Sequence, residues 1–308
     1  MLVSNLLKAL AIVLALALVG GPTALAQEQQ PASLVVSYIE ATAARVDGNN
    51  QLFAYMMLVD DEGRPVPGAR VQSAEVTLDE GGAPVAAVVS QADDIATMLV
   101  LDASGSMVGG RPEAARTGVI NFVNSKQPDD QIGVMFFNDA IVYSSDFTTD
   151  RVAAISAVSF SPQERTAGSC LWDTLYEAVA RTRRLPRGRR AIVLVTDGRD
   201  QIYPGGPPCS QITLDAVIQF ATQERAHVPI YIMGIGNAQN LSPEELERLA
   251  RETGGMHAVG DISSEIGAMF ADLAAGVRAE FVVSAEVAAG GGPVVGDAHH
   301  AVVVVGGP

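Results

Sequence analysis

Oxygen-bearing side chains recur at three places in the middle of this sequence. One is Asp102-Ala103-Ser104-Gly105-Ser106-Met107, and a second is Thr196-Asp197-Gly198-Arg199-Asp200. Between them, Ala167-Gly168-Ser169-Cys170-Leu171-Trp172-Asp173 opens a helical pattern. Alternation in Asp-x-Ser-x-Ser lets Asp102, Ser104 and Ser106 face one point while the residues between them turn away, and Gly105 permits the tight loop. Carboxylates and hydroxyls converging without imidazole or thiolate ligands suit a hard cation, Mg²⁺ or Mn²⁺ rather than zinc or copper. Asp and Ser at a strand end also make an ordinary Asx-type turn. The metal reading therefore depends on all three places meeting.

The surrounding pattern brings them together. Continuous apolar runs (IATMLVLD, IGVMFFN, AIVLVTD and VPIYIMGIG) have the length and composition of parallel strands buried on both faces. Amphipathic segments alternate with them. EAARTGVINFVNSK puts Val119, Ile120 and Val123 on one face, and SCLWDTLYEAVARTRR does the same with Leu171, Leu175 and Val179. TLDAVIQFATQER follows, and then PEELERLARET, with Pro243 in a first turn after Ser242 as N-cap. This alternation predicts an α/β fold with a doubly wound, mostly parallel sheet over residues 94–277. In such sheets ligands sit beyond the carboxyl ends of the strands, where Asp102 and Asp197 fall. Short strand-like runs at 33–90 and 279–308, separated by turn chemistry such as DGNN and DEGRPVPG, predict the two parts of a small β-sandwich beside it.

With the elements placed, the middle segment resembles the von Willebrand factor type A domain. The D-x-S-x-S loop of that family's metal-ion-dependent adhesion site is matched by Asp102, Ser104 and Ser106. The family's later Asp, in a hydrophobic-TDG phrase, is matched by Asp197. Its remaining ligand, a Thr in a phrase like GGTALYDAL, corresponds to Ser169 in AGSCLWDTL, whereas Thr166 has the wrong offset from Leu171. VMFFNDAIVYSSDFTTD, RRAIVLVTDG, VPIYIMGIG and the ETGGMHAV hairpin recur in the family's order. Serine keeps the hydroxyl but loses the methyl that restrains its rotamer. The resemblance implies binding without turnover: a Mg²⁺ (or Mn²⁺) that keeps an open position for an Asp or Glu of a protein partner. Two carboxylates leave such a cation electrophilic enough to accept a third.

Cys170 and Cys209 are the only cysteines, and both belong to loops at this rim. A disulfide between them is expected in an oxidising compartment. Export is expected from residues 1–26, which have one Lys, an apolar stretch from Ala9 to Val19 too short for a bilayer span, and Ala24 and Ala26 at the signal cleavage positions. Secretion, the periplasm or the cell surface is the expected location, with no tight membrane insertion after cleavage. The chain has 20 Lys+Arg against 35 Asp+Glu, for a formal charge of −15, which excludes nucleic acid as a partner. At 48% hydrophobic and 18% charged it is not a disordered chain.

Other features have structural readings. The arginine-rich stretch 181–190 places cations at a helix C-terminus. Asp200 reads as a solvated loop carboxylate, Asn138 and Asp139 as hairpin residues. His227, His257, His299 and His300 show no ligand spacing. No G-x-S-x-G, H-E-x-x-H or P-loop is present, Gln239 spoils the glycine pattern after Gly234 and Gly236, and no base is identifiable for a Ser104 nucleophile. The leading expectation is thus a binding protein and not an enzyme. A surface-assembly scaffold whose metal serves folding comes next, and a metal-dependent hydrolase is a remote third.

Overall fold

The computed structural model describes residues 33–42, 49–59, 73–78, 85–91, 94–105, 110–159, 168–185, 189–196, 199–223, 227–236, 241–260, 263–279, 281–288 and 301–306. The segment 1–26, Ser106, Thr166, Asp197, His299 and His300 lie outside them. The chain divides into two compact units, Asp93–Val277 and a unit built from the strands on either side of it.

The flanking unit holds β1 (Ser33–Thr42), β2 (Asn49–Val59), β3 (Ser73–Leu78) and β4 (Val85–Gln91) from before the insertion. After the central unit, numbered through β10, come β11 (Phe281–Ala288) and β12 (Ala301–Gly306). Every pairing is antiparallel, in the order β1-β2-β11-β4-β3-β12. Strands from the two ends of the chain thus share one hydrogen-bonded order. The two packed layers of a sandwich, expected from the sequence, are not shown by this single order. The chain leaves this sheet at β4 and returns in β11, hydrogen-bonded directly to β4. That adjacency lets a whole α/β unit be inserted between neighbouring strands.

The central unit runs β5 (Ile95–Asp102), α1 (Gly110–Asn124), β6 (Gln131–Phe137), β7 (Ile141–Ser144), α2 (Arg151–Val158) and α3 (Leu171–Arg183). It continues through β8 (Arg189–Thr196), α4 (Leu214–Ala221), β9 (Ile230–Ile235), α5 (Pro243–Glu252), β10 (His257–Gly260) and α6 (Ser263–Ala279). The sheet order is β10-β9-β8-β5-β6-β7, parallel throughout except for β7. Here 257–260 departs from the sequence expectation. It is a parallel edge strand on β9, reached across α5, and not part of a hairpin. The helix α2, begun by an Asp150 side chain that accepts from the N–H groups of Val152 and Ala153, is an element the apolar pattern did not single out.

Successive strand residues feed opposite faces, as a two-residue period requires. Leu99, Leu101, Val134 and Val193 pack with Val119 of α1, Ala154 of α2 and Phe270 of α6. Met98, Val100, Ile192 and Leu194 pack with Leu171 and Leu175 of α3, Val217 of α4 and Leu249 of α5. Both faces are therefore covered, and each large side chain so buried contributes ~1.5–3 kcal/mol. From β5 the chain steps to β6 on one side and later to β8 on the other. The carboxyl end of β5 is thus the point where strand order reverses, the place at which such sheets bind ligands. No helix among the described residues is long and apolar enough to cross a membrane.

Candidate metal centre at the end of the central strand

Asp102 is the last residue of β5 and is 4% exposed. Its Oδ1 accepts from the backbone N–H of Ser104 at 2.9 Å, the usual Asx geometry for a carboxylate closing its own turn. Its Oδ2 accepts from the Thr196 hydroxyl at 2.6 Å. The Ser169 Oγ lies 3.4 Å from both carboxylate oxygens. Ser104 and Ser169 are buried, and their oxygens come from two separate loops. Three of the expected residues, Asp102, Ser104 and Ser169, are therefore brought together.

Burial raises the Asp102 pKa above its ordinary value; the bonds from Thr196, Ser104 and Ser169 pull in the opposite direction without cancelling it. Among the described residues no Lys, Arg or His forms an ion pair with this carboxylate. Among the described residues the charged form is thus held by hydroxyls and one amide. Hydroxyl oxygens can turn lone pairs toward a cation, which backbone N–H donors cannot. The donor set is all hard oxygen and fits a small divalent cation. No cluster of three His, Cys, Asp or Glu side chains occurs among the described residues.

Ser169 is held by its backbone. It exchanges hydrogen bonds with Gln201, N–H to O at 2.9 Å and the return at 3.2 Å, while Cys170 N–H donates to Asn138 O at 2.8 Å. Gly168 is needed for this approach, since a Cβ there would stand 2.5 Å from the Ile202 carbonyl oxygen. Cys170 and Cys209 are joined in a disulfide with Cα atoms 4.8 Å apart, as expected from sequence. Cys170 occupies the N-cap of α3 but makes no side-chain cap. The orphan N–H groups are satisfied from elsewhere: Leu171 N–H donates to Asp200 Oδ1, and those of Trp172 and Asp173 donate to Ser210 Oγ. In return Asp173 accepts from the N–H groups of Gln211 and Ile212.

Asp200 therefore corrects the sequence expectation. It is half-buried and caps α3 in place of the missing Ser, Thr or Asp, and it also accepts from both the N–H and the hydroxyl of Ser210. A helix start lacking its own cap was the signal for a partner of this kind. The contact of Thr196 with Asp102 is one the sequence pattern does not assign, although Thr196 directly precedes Asp197. Asn138 forms the expected turn, its Oδ1 accepting from Ala140 N–H at 3.1 Å, but is 1% exposed. The arginine stretch behaves as expected. Arg181 pairs with Glu177 at 2.8 Å, Arg183 donates to Phe220 O and lies over its ring, and Arg190 donates to Leu185 O at 2.8 Å.

Residues 97–199 match the family model of the von Willebrand factor type A domain. No curated protein matches the chain. Among solved structures, the chain is similar to a von Willebrand factor type A protein from Catenulispora acidiphila, 17% identical, covering 82% of this chain and 51% of that one, TM-score 0.49. It is similar to the conserved hypothetical protein BatB from Bacteroides thetaiotaomicron, 18% identical over 58% of this chain and 96% of that one, TM-score 0.45. A third is proximal thread matrix protein 1 from the mussel byssus with a zinc-occupied MIDAS motif, 18% identical over 64% of this chain and 49% of that one, TM-score 0.47.

Proposed function

From the premise that residues 97–199 form a von Willebrand factor type A domain, we propose that this protein is an exported binding protein that captures an acidic residue of a partner protein through a divalent cation. Asp102, Ser104, Ser106, Ser169 and Asp197 would hold the ion, Mg²⁺ or Mn²⁺. When bound, it supplies the positive charge that a partner carboxylate needs on an otherwise acidic surface. The observation that carries this reading is the buried Asp102 carboxylate, flanked by the hydroxyls of Ser104 and Ser169 and free of any ion pair among the described residues.

The protein's own groups have separate tasks. Thr196 and the Ser104 amide orient the Asp102 carboxylate. The Ser169–Gln201 bridge and the disulfide keep the Ser169 hydroxyl opposite it. Binding is proposed in preference to turnover because, among the described residues, the groups touching Asp102 are hydroxyls and an amide, with no imidazole among them to act as base. The signal-like segment 1–26 supports export. The test is retention of a cell-envelope partner on the immobilised protein. Retention in Mg²⁺ that is lost in EDTA and in Asp102→Ala is expected; retention surviving both overturns the proposal.

A further inference from the structure

The loop that braces Ser169 also presents the most exposed adjacent pair of large apolar side chains among the described residues. Ile202 is 49% exposed and Tyr203 54%, and both directly follow Gln201, the backbone partner of Ser169. Scattered single apolar residues on a surface are ordinary. A neighbouring pair on an ordered projection beside a binding centre is a different matter.

The projection is rigid by construction. Tyr203-Pro204-Gly205-Gly206 is a type II turn: Gly206 N–H donates to Tyr203 O at 2.7 Å, Pro204 fixes the second position, and Gly205 has φ +76° at the third. Ile202 N–H closes the base by donating to Pro207 O at 3.0 Å, and Gly205 N–H donates to Gln201 Oε1 at 3.0 Å. The Tyr203 ring lies so close to Gly206 that a Cβ there would stand 2.9 Å from it. Beyond the turn, Cys209 ties the loop to Cys170, and Ser210 ties it to the start of α3. Such a loop loses little conformational freedom on binding, so apolar contacts made there appear almost fully as affinity. Tyrosine and isoleucine with few free rotors suit a contact surface of this kind.

We propose that Ile202 and Tyr203 form a specificity-determining ridge beside the metal centre. They would select, among protein segments offering an Asp or Glu, those with a large apolar or aromatic residue next to the acid. The acid supplies charge complementarity to the cation, and the neighbour buries the ridge. This rests on the metal-dependent reading above, and the experiment separates the two.

The probe is an array of synthetic nonapeptides, each with a central Glu or Asp flanked by Leu and Phe or by Ser in a Gly-Ser background. The purified protein is applied in Mg²⁺ or EDTA, and Mn²⁺ affinity is measured in parallel by calorimetry. Apolar-flanked peptides should be retained about tenfold more strongly than serine-flanked ones, and only in Mg²⁺. The double variant Ile202→Ser/Tyr203→Ser should lose that preference while its Mn²⁺ affinity stays unchanged. Val152→Ser, which removes an apolar side chain that is 72% exposed and lies at the start of α2, should keep it. Indifference to the flanks, a preference that survives in the double variant, or no retention of any peptide by Mn²⁺-binding protein overturns the ridge and leaves the metal reading standing. Failure of the wild-type protein to bind Mn²⁺ overturns both.

Discussion

Among the described residues two carboxylates are buried, Asp102 at one end of the parallel strands and Asp130 at the other. Asp130 is spoken for by the fold. Its Oδ1 accepts from Ile95 N–H at 3.1 Å and its Oδ2 from Gln127 N–H at 2.7 Å. The Lys126 ammonium, buried beside it, donates to the backbone carbonyls of Gln127, Pro128 and Asp130. Cation and anion thus share one knot that starts two strands. Asp102 has no ammonium near it, and two of its bonds come from the hydroxyls of Thr196 and Ser169. A buried acid held by backbone amides, in a turn whose carbonyls hold a lysine, is architecture. A buried acid ringed by hydroxyls is a centre that gains from an added cation.

The sharpest ways to break this contrast act on each end separately. Replacing both Cys170 and Cys209 with serine releases the loop brace at the Asp102 end, which closes a sequence separation of 39 residues. Urea unfolding should show a loss of up to ~4 kcal/mol from chain entropy, with weaker Mn²⁺ binding in the same variant. Asp130→Ala strands the buried Ile95 N–H and the part-buried Gln127 N–H and should cost about 2 kcal/mol whether Mg²⁺ or EDTA is present. Asp102→Asn should leave stability in EDTA undiminished, because the charged form it removes is the one that burial penalises. An Asp102→Asn protein as damaged in EDTA as Asp130→Ala would erase the distinction.

Acid should act on the Asp130 end. His227, just before β9, is held down to about 4 from 6.5 by burial. As pH falls below 6.5 the unfolded chain takes the proton first, so stability is full above that pH and is lost as pH falls toward 4, by about 2 kcal/mol at pH 5. His227→Gln should flatten that slope in thermal melts. Asp102 has the opposite sign: its raised pKa penalises the folded state at higher pH, and acid relieves it. The smallest effect belongs to Ser169→Thr. The added methyl restrains the hydroxyl and should tighten Mn²⁺ binding by only about two- to threefold.

Much of this is legible in the sequence. The apolar runs located β5, β6, β8 and β9, and the D-x-S-x-S phrase located Asp102 and Ser104 at the end of the first of them. Ser169 follows from the same order of motifs, and the disulfide from two cysteines in rim loops of an exported chain. The missed contacts are those made at long range. Asp200 caps a helix 29 residues away in sequence, and Thr196 reaches Asp102 across 94 residues. A loop carboxylate with such a task looks, in one dimension, like any solvated one. The Lys126–Asp130 knot was unread for another reason: its partners are mostly backbone atoms, which leave no mark on residue type. The edge strand β10 looks like half of a hairpin in sequence because its residues alone do not say which strand they pair with.

The most direct measurement is calorimetric titration of the purified, oxidised protein with Mn²⁺, compared with Asp102→Ala and with Asp130→Asn. The account predicts one ion per chain for wild type, retained by Asp130→Asn and abolished in Asp102→Ala. A wild-type protein that takes up no ion, or an Asp102→Ala protein that binds as well as wild type, would contradict it.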